Sequence, residues 1–163
     1  MAHQPEDRSD FFMQGFVNLK VRQNQHLQRK LTPDFVIDWL YKKVQKQINK
    51  VNEIGKSFNY FIPFESIFEK AEKAKQVISL GTQFGEGWLI SGEILSFASQ
   101  GVNHVISLQP FGCIANHIVE KGIEKRIKSL CPQMNILSLD FDSSVSDVNI
   151  TNRLLLFIDN KNN

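Results

Sequence analysis

Apolar positions in the first third of the chain recur at helical spacing. Val36/Ile37, Leu40/Tyr41, Val44, Ile48, Val51 and Ile54 follow one another at three- and four-residue intervals, as on one face of a helix. Thr32-Pro33-Asp34 stands in front of them as a start signal, with a hydroxyl at the cap, proline at the first helical position and an acid in the first turn. Gly55 marks the stop. A further helix is predicted after Pro63, carrying Phe64, Ile67, Phe68, Ala71, Ala74 and Val77/Ile78 on its apolar side. Ahead of residue 32 the pattern weakens: Phe11, Phe12, Phe16, Val17 and Leu19 are apolar, but Asn and Gln dominate after them.

Beyond residue 80 the period changes. Gly85 to Ala98 predicts a helix with Trp88, Leu89, Ile94/Leu95 and Ala98 on one face, ended by Gly101. His104 to Leu108 reads as a short buried strand and Gln109 to Gly112 as a turn. Cys113 to Leu130 predicts an amphipathic helix with Ile114, His117/Ile118, Ile123, Ile127 and Leu130 on its apolar side. Asn135 to Leu139 is a second strand, Asp140 to Asn149 a polar loop, and Val148 to Ile158 a last helix. A strand, a crossover helix and a second strand demand a parallel pair with a right-handed connection. The fold class expected is therefore α/β. Residues 1–80 form a mainly helical lead-in, and residues 81–163 a Rossmann-like three-layer unit with a small parallel sheet, in the order helix, strand, helix, strand, helix. Two strands make a poor sheet on their own, so a third is expected either near Val77 to Leu80 or from other polypeptide.

Charge follows the same division. Residues 1–80 carry 13 Lys/Arg against 9 Asp/Glu, and residues 81–163 carry 6 against 8, so a basic half precedes a slightly acidic one. Seven of the nine glycines stand at or after Gly81, which suits a turn-punctuated second half. At 163 residues, with 42% hydrophobic and 22% charged positions, the chain has enough apolar content for a core and is not of disordered composition. The polar start MAHQPEDRSD lacks the apolar stretch of a signal peptide, and no apolar run approaches a membrane span. Two cysteines are too few for a disulfide framework, so a cytoplasmic location with no membrane partner is expected. A pI near 8.5 with both signs intermixed gives no reason to expect a nucleic-acid partner.

In open α/β folds ligands collect beyond the carboxyl ends of the strands. The two loops expected there bring Gln109, Cys113, Asn116, His117, Asp140, Asp142 and Ser144 to one rim. Cys113 falls where a helix begins, and the partial positive charge of that terminus favours a thiolate. It is a candidate metal ligand or nucleophile, or else a small buried apolar residue. His117, one turn on, is a base, a second ligand or a buried polar group. Asp140 and Asp142 can bind a metal or cap the backbone that follows. Cys131 lies about 27 Å away at 1.5 Å per helical residue and cannot share a metal or a disulfide with Cys113. Gly85-Glu86-Gly87 ahead of a helix invites a phosphate-loop reading, yet it lacks both glycine-rich nucleotide fingerprints and equally suits a glycine-rich helix start. Lys42, Lys46 and Lys50 make a basic row that reads as a partner-binding stripe or as a solvated face.

The runs Gly85 to Glu93 (GEGWLISGE), Leu108 to Ile118 (LQPFGCIANHI), Lys121-Gly122 and Asp147 to Arg153 (DVNITNR) resemble the C-terminal region of large activator-type proteins of 2-hydroxyacyl-CoA dehydratases. Those proteins join BadF/BadG/BcrA/BcrD-type ATPase modules to a region similar to the dehydratase subunits. The resemblance covers roughly residues 60–158, and the Gln-Pro-Phe-Gly-Cys…Asn-His segment is its most specific part. It implies ATP-driven electron transfer through a [4Fe–4S] cluster held by cysteines at loop–helix junctions, with Cys113 as one ligand, and acyl-CoA as a possible ligand of the parent protein. Such a cluster takes about three or four thiolates, and no ATPase phosphate motif is present. The resemblance thus implies a piece of a longer protein, its cluster incomplete and its partner the remainder of that protein or a dehydratase-like subunit. Two other functions are open: a thiol enzyme with Cys113 as nucleophile and His117 as base, and a non-catalytic interaction module docking through Phe58, Phe61, Phe64 and Phe68.

Overall fold

The computed structural model describes residues 8–25, 32–59, 61, 63–141 and 146–159. The chain divides into two compact units, Met1–Glu72 and Lys73–Asn163.

The first unit holds α1 (Arg8–Asn24), α2 (Asp34–Gly55) and all but the last two residues of α3 (Ile67–Ala74). α2 begins one residue later than the cap signal suggests. Pro33 is extended at the cap position, and its carbonyl accepts from the Val36 N–H at 3.0 Å. Ile37 is buried on this helix, and Tyr41 gathers the neighbouring rings, with Phe16 at 5.8 Å and Phe68 at 4.7 Å, both edge-on. The Tyr41 hydroxyl meets Ser66 Oγ at 2.8 Å. Asn52 fixes the chain after α2: its Oδ1 accepts from the Phe64 N–H at 2.8 Å, and its Nδ2 donates to the Phe64 carbonyl at 3.1 Å. Ion pairs join Lys20 to Asp38 and Lys70 to Asp10. Gly55 ends α2, but Lys56 after it keeps a right-handed φ of −56°. The glycine is instead a contact surface, since a Cβ there would lie 2.3 Å from the Phe61 ring.

The second unit holds α4 (Gly87–Ser99), β1 (His104–Pro110), a π-helical segment (Ala115–Glu120), α5 (Lys121–Leu130), β2 (Asn135–Phe141) and α6 (Asp147–Asp159). β1 and β2 form a two-stranded parallel sheet, in register from His104 beside Asn135 to Pro110 beside Phe141. The fold is mixed α/β, as the sequence pattern predicts. Ile94 of α4, Val119, Ile123, Ile127 and Met134 make the core, with Val105 and Ile136 of the sheet against it. Burying each such side chain is worth about 1.5–3 kcal/mol.

Two expectations need correction. Val77 to Leu80 is not a strand: the Val77 and Ile78 N–H groups both turn back to the Ala74 carbonyl at 2.9 Å, and both side chains lie against the core. The helix after Cys113 also buries a different face from the one its isoleucines suggest. Ile114 and Ile118 are exposed, while Ala115, Asn116, Val119 and Glu120 are buried. The sheet face beneath carries Ser107, Gln109, Ser138 and Asp140, which need polar partners, and the π-helical turns supply them. Among the described residues no helix is long and apolar enough to cross a membrane.

Candidate functional site

Register builds the rim. Gln109 and Asp140 are the residues before the last on β1 and β2 and lie side by side. Both therefore stand on strands, not in the loops the sequence suggests. Period-two alternation puts them on the same face as Ser107 and Ser138, beneath the π-helical segment. Beyond Pro110 the chain reverses tightly. The Phe111 N–H donates to the Phe141 carbonyl at 3.1 Å, and the Cys113 N–H to the Pro110 carbonyl at 3.1 Å. Gly112 makes the reversal with φ +77°, a conformation that costs an L side chain about 1–2 kcal/mol. Cys113 is thereby delivered, half-buried and as a free thiol, to the start of the helix.

His117 is engaged at both ring nitrogens. Nδ1 lies 3.3 Å from the Cys113 carbonyl oxygen and Nε2 3.2 Å from Asp140 Oδ1. Lys121 Nζ approaches the same carboxylate oxygen at 3.8 Å, and the Phe111 ring stands edge-on to the imidazole at 6.4 Å. Nδ1 thus faces a carbonyl and Nε2 a carboxylate. Neither nitrogen is left for the Cys113 thiol, which is the pairing a cysteine–histidine nucleophile needs.

Next to this network two oxygens are sealed from solvent without a hydrogen bond among the described residues: Gln109 Oε1 and Asp140 Oδ1. The His117 contact to Asp140 is at ion-pair distance but off the hydrogen-bond direction. Gln109 is fully buried, and its one bond is a long one, Nε2 to the Asn116 carbonyl at 3.4 Å. Adjacent unsatisfied acceptors of this kind are uncommon in native interiors.

Glu120 is the residue that sequence reading missed. It is 2% exposed and bridges the sheet, taking the Ser107 hydroxyl at 2.5 Å on one oxygen and the Ser138 hydroxyl at 2.8 Å on the other. Ser138 also receives Arg153 Nη2 on its carbonyl at 2.5 Å. The available signal was a serine at the same place in two apolar strands, HVISLQP and NILSLDF, with an acid four residues after Asn116.

Of the other candidates, Asn116 meets this network only through its carbonyl. Asp142 and Ser144 lie outside the described residues. Asn116 is buried beneath the rim. Cys131 caps the far end of α5, its N–H donating to the Ile127 carbonyl at 2.8 Å, so the two thiols are not brought together. Among the described residues no group of three or more His, Cys, Asp or Glu could hold a metal ion. Gly85-Glu86-Gly87 serves packing: a Cβ on Gly87 would meet the Thr82 carbonyl oxygen at 2.4 Å, and Trp88, fully buried, donates its N–H to that same oxygen at 3.0 Å. Comparison with family models, curated proteins and solved structures finds no match to this chain.

Proposed function

We propose that this chain is a non-autonomous part of a protein of the dehydratase-activator type, belonging to a Rossmann-like three-layer unit, and that Cys113 supplies one thiolate to an iron–sulfur cluster. The observation that carries this reading is the placement of Cys113: a half-buried free thiol at a strand-to-helix junction. The described residues do not complete a [4Fe–4S] ligand set, because the second thiol sits at the far end of α5 and no other ligand group forms. The remaining thiolates come, on this proposal, from the rest of the parent protein or from a dehydratase-like subunit. The cluster's contribution when bound is low-potential electron transfer. This chain's own residues hold its environment: Gly112 sets the approach of Cys113, and Asp140 with Lys121 fixes His117 beside it. Acyl-CoA and ATP belong to the parent, the setting is the cytoplasm, and this chain alone is not an active enzyme. The outer face of β1, where Ile106 and Leu108 stay exposed beyond the His104–Phe157 contact, supports a unit completed by further polypeptide.

The test is anaerobic exchange with a synthetic [4Fe–4S] cluster bearing small exchangeable thiolates. The chain and its Cys131→Ser variant are expected to retain the cluster's visible absorbance through gel filtration, with the small thiolates filling the other positions. Cys113→Ser is expected to lose it. Equal retention by Cys113→Ser, or a stoichiometric four-iron cluster assembled without external thiolates, overturns the proposal.

A further inference from the structure

α2 carries two apolar stripes, and only one of them is covered. The packed face follows Ile37, Tyr41, Ile48, Asn52 and Gly55, which spans five turns at 3.6 residues per turn. A second series repeats at sevens: Ile37, Val44 and Val51, with Leu40, Gln47 and Ile54 three residues after each. A seven-residue repeat drifts about 20° per heptad around a straight helix. It therefore starts at the buried Ile37 and turns steadily outward. Val44 is 39% exposed, Val51 49% and Ile54 67%. Leu40, Val44, Val51 and Ile54 thus form a narrow apolar seam along about 21 Å of helix at 1.5 Å per residue.

Charge says what this seam fits. Its solvent-side border is Lys43 and Lys50, with Lys46 next around the helix. All three are exposed, and Lys43 Nζ is held over the Trp39 ring at 3.9 Å. None has an ion-pair partner among the described residues. Of the acids of α2, Asp34 and Asp38 lie on other faces, Asp38 paired with Lys20, and Glu53, one heptad after Lys46, is paired with Lys56. A second copy of α2 answers this badly. Antiparallel pairing sets the Lys43/Lys50 border against itself, and parallel pairing sets it against Tyr41, Ile48 and Gly55, which carry no acid.

We infer that the outer seam of α2 is a docking surface for an amphipathic helix of another protein, one whose apolar positions repeat at sevens and whose flank is acidic. This inference is independent of the role proposed for Cys113. Its test uses the full chain and two synthetic heptad peptides with Val and Leu on the seam, one flanked by Glu and one by Lys, with fluorescence anisotropy as readout. The Glu peptide is expected to bind at least about tenfold more tightly than the Lys peptide, and Val51→Asp to weaken it at least about tenfold. Lys43→Glu with Lys46→Glu and Lys50→Glu is expected to reverse the preference. Each variant's circular dichroism checks that the helices persist. Equal binding of the two peptides, or binding of neither, overturns the inference. So does a dimer of the chain that Val51→Asp dissociates, or retention on phosphatidylserine vesicles that Val51→Asp abolishes.

Discussion

Glu120 makes the strongest polar demand in the second unit. A carboxylate removed from water must find donors, and it finds the Ser107 and Ser138 hydroxyls, one for each oxygen. Glu120→Ala leaves both half-buried hydroxyls beside a void, and is expected to destabilise the unit by about 1–3 kcal/mol in urea unfolding. Combining Glu120→Leu with Ser107→Ala and Ser138→Ala is expected to recover most of that loss, because apolar replacement of all partners removes the demand together with its satisfaction. A triple variant no more stable than Glu120→Ala shows that the bridge does something beyond mutual satisfaction. Single residues were unevenly legible in the sequence. Cys113 and His117 stood out because their chemistry is scarce and their position follows a strand. Glu120 did not, because a lone acid in a lysine-containing helix reads as surface until the register of two strands places serines beneath it.

The elements were legible to within a few residues where hydrophobic period decided them, and misread where polar contacts did. The pattern located α2, α4, β1, β2 and α6, whose apolar spacing is regular. It missed the π-helical segment, since following isoleucines at 3.6-residue spacing selects Ile114 and Ile118, while Asn116 and Glu120 are drawn inward by the polar sheet face. Asn52 shows the same competition on α2. By helix propensity alone, Asn52→Ala should stabilise the helix by several tenths of a kcal/mol. The structure gives the opposite sign, because Asn52 clamps both backbone groups of Phe64. Asn52→Ala is expected to destabilise by about 1–3 kcal/mol through those unsatisfied groups, and Asn52→Asp, which keeps only the acceptor, by less. Thermal unfolding followed by circular dichroism reads the sign directly; a stabilised Asn52→Ala would show that the Phe64 clamp contributes nothing.

At the scale of the whole molecule, exposed apolar surface is the governing feature, and the sequence concealed it. Hydrophobic residues at helical or strand spacing predict an element with a buried face, but they do not say that anything covers it. The apolar residues of α6 are the clearest case. Val148, Leu155 and Leu156 are exposed, no residue of that helix is buried, and it touches the sheet through Phe157 against His104 at 5.7 Å and through Arg153. On β1, Ile106 and Leu108 are 44% and 59% exposed on the face opposite Glu120. If this face is covered only when further polypeptide joins, its residues contribute little to the stability of the chain alone. Ile106→Thr with Leu108→Thr leaves a β-branched residue at both positions of the strand. The pair is expected to change unfolding stability by no more than about 1 kcal/mol in total. It is also expected to lower self-association, measured by light scattering at rising concentration, because it removes a contiguous apolar patch. A loss of the size caused by truncating core residues, about 2–5 kcal/mol for each, would place this face inside the folded chain and remove the need for any added layer.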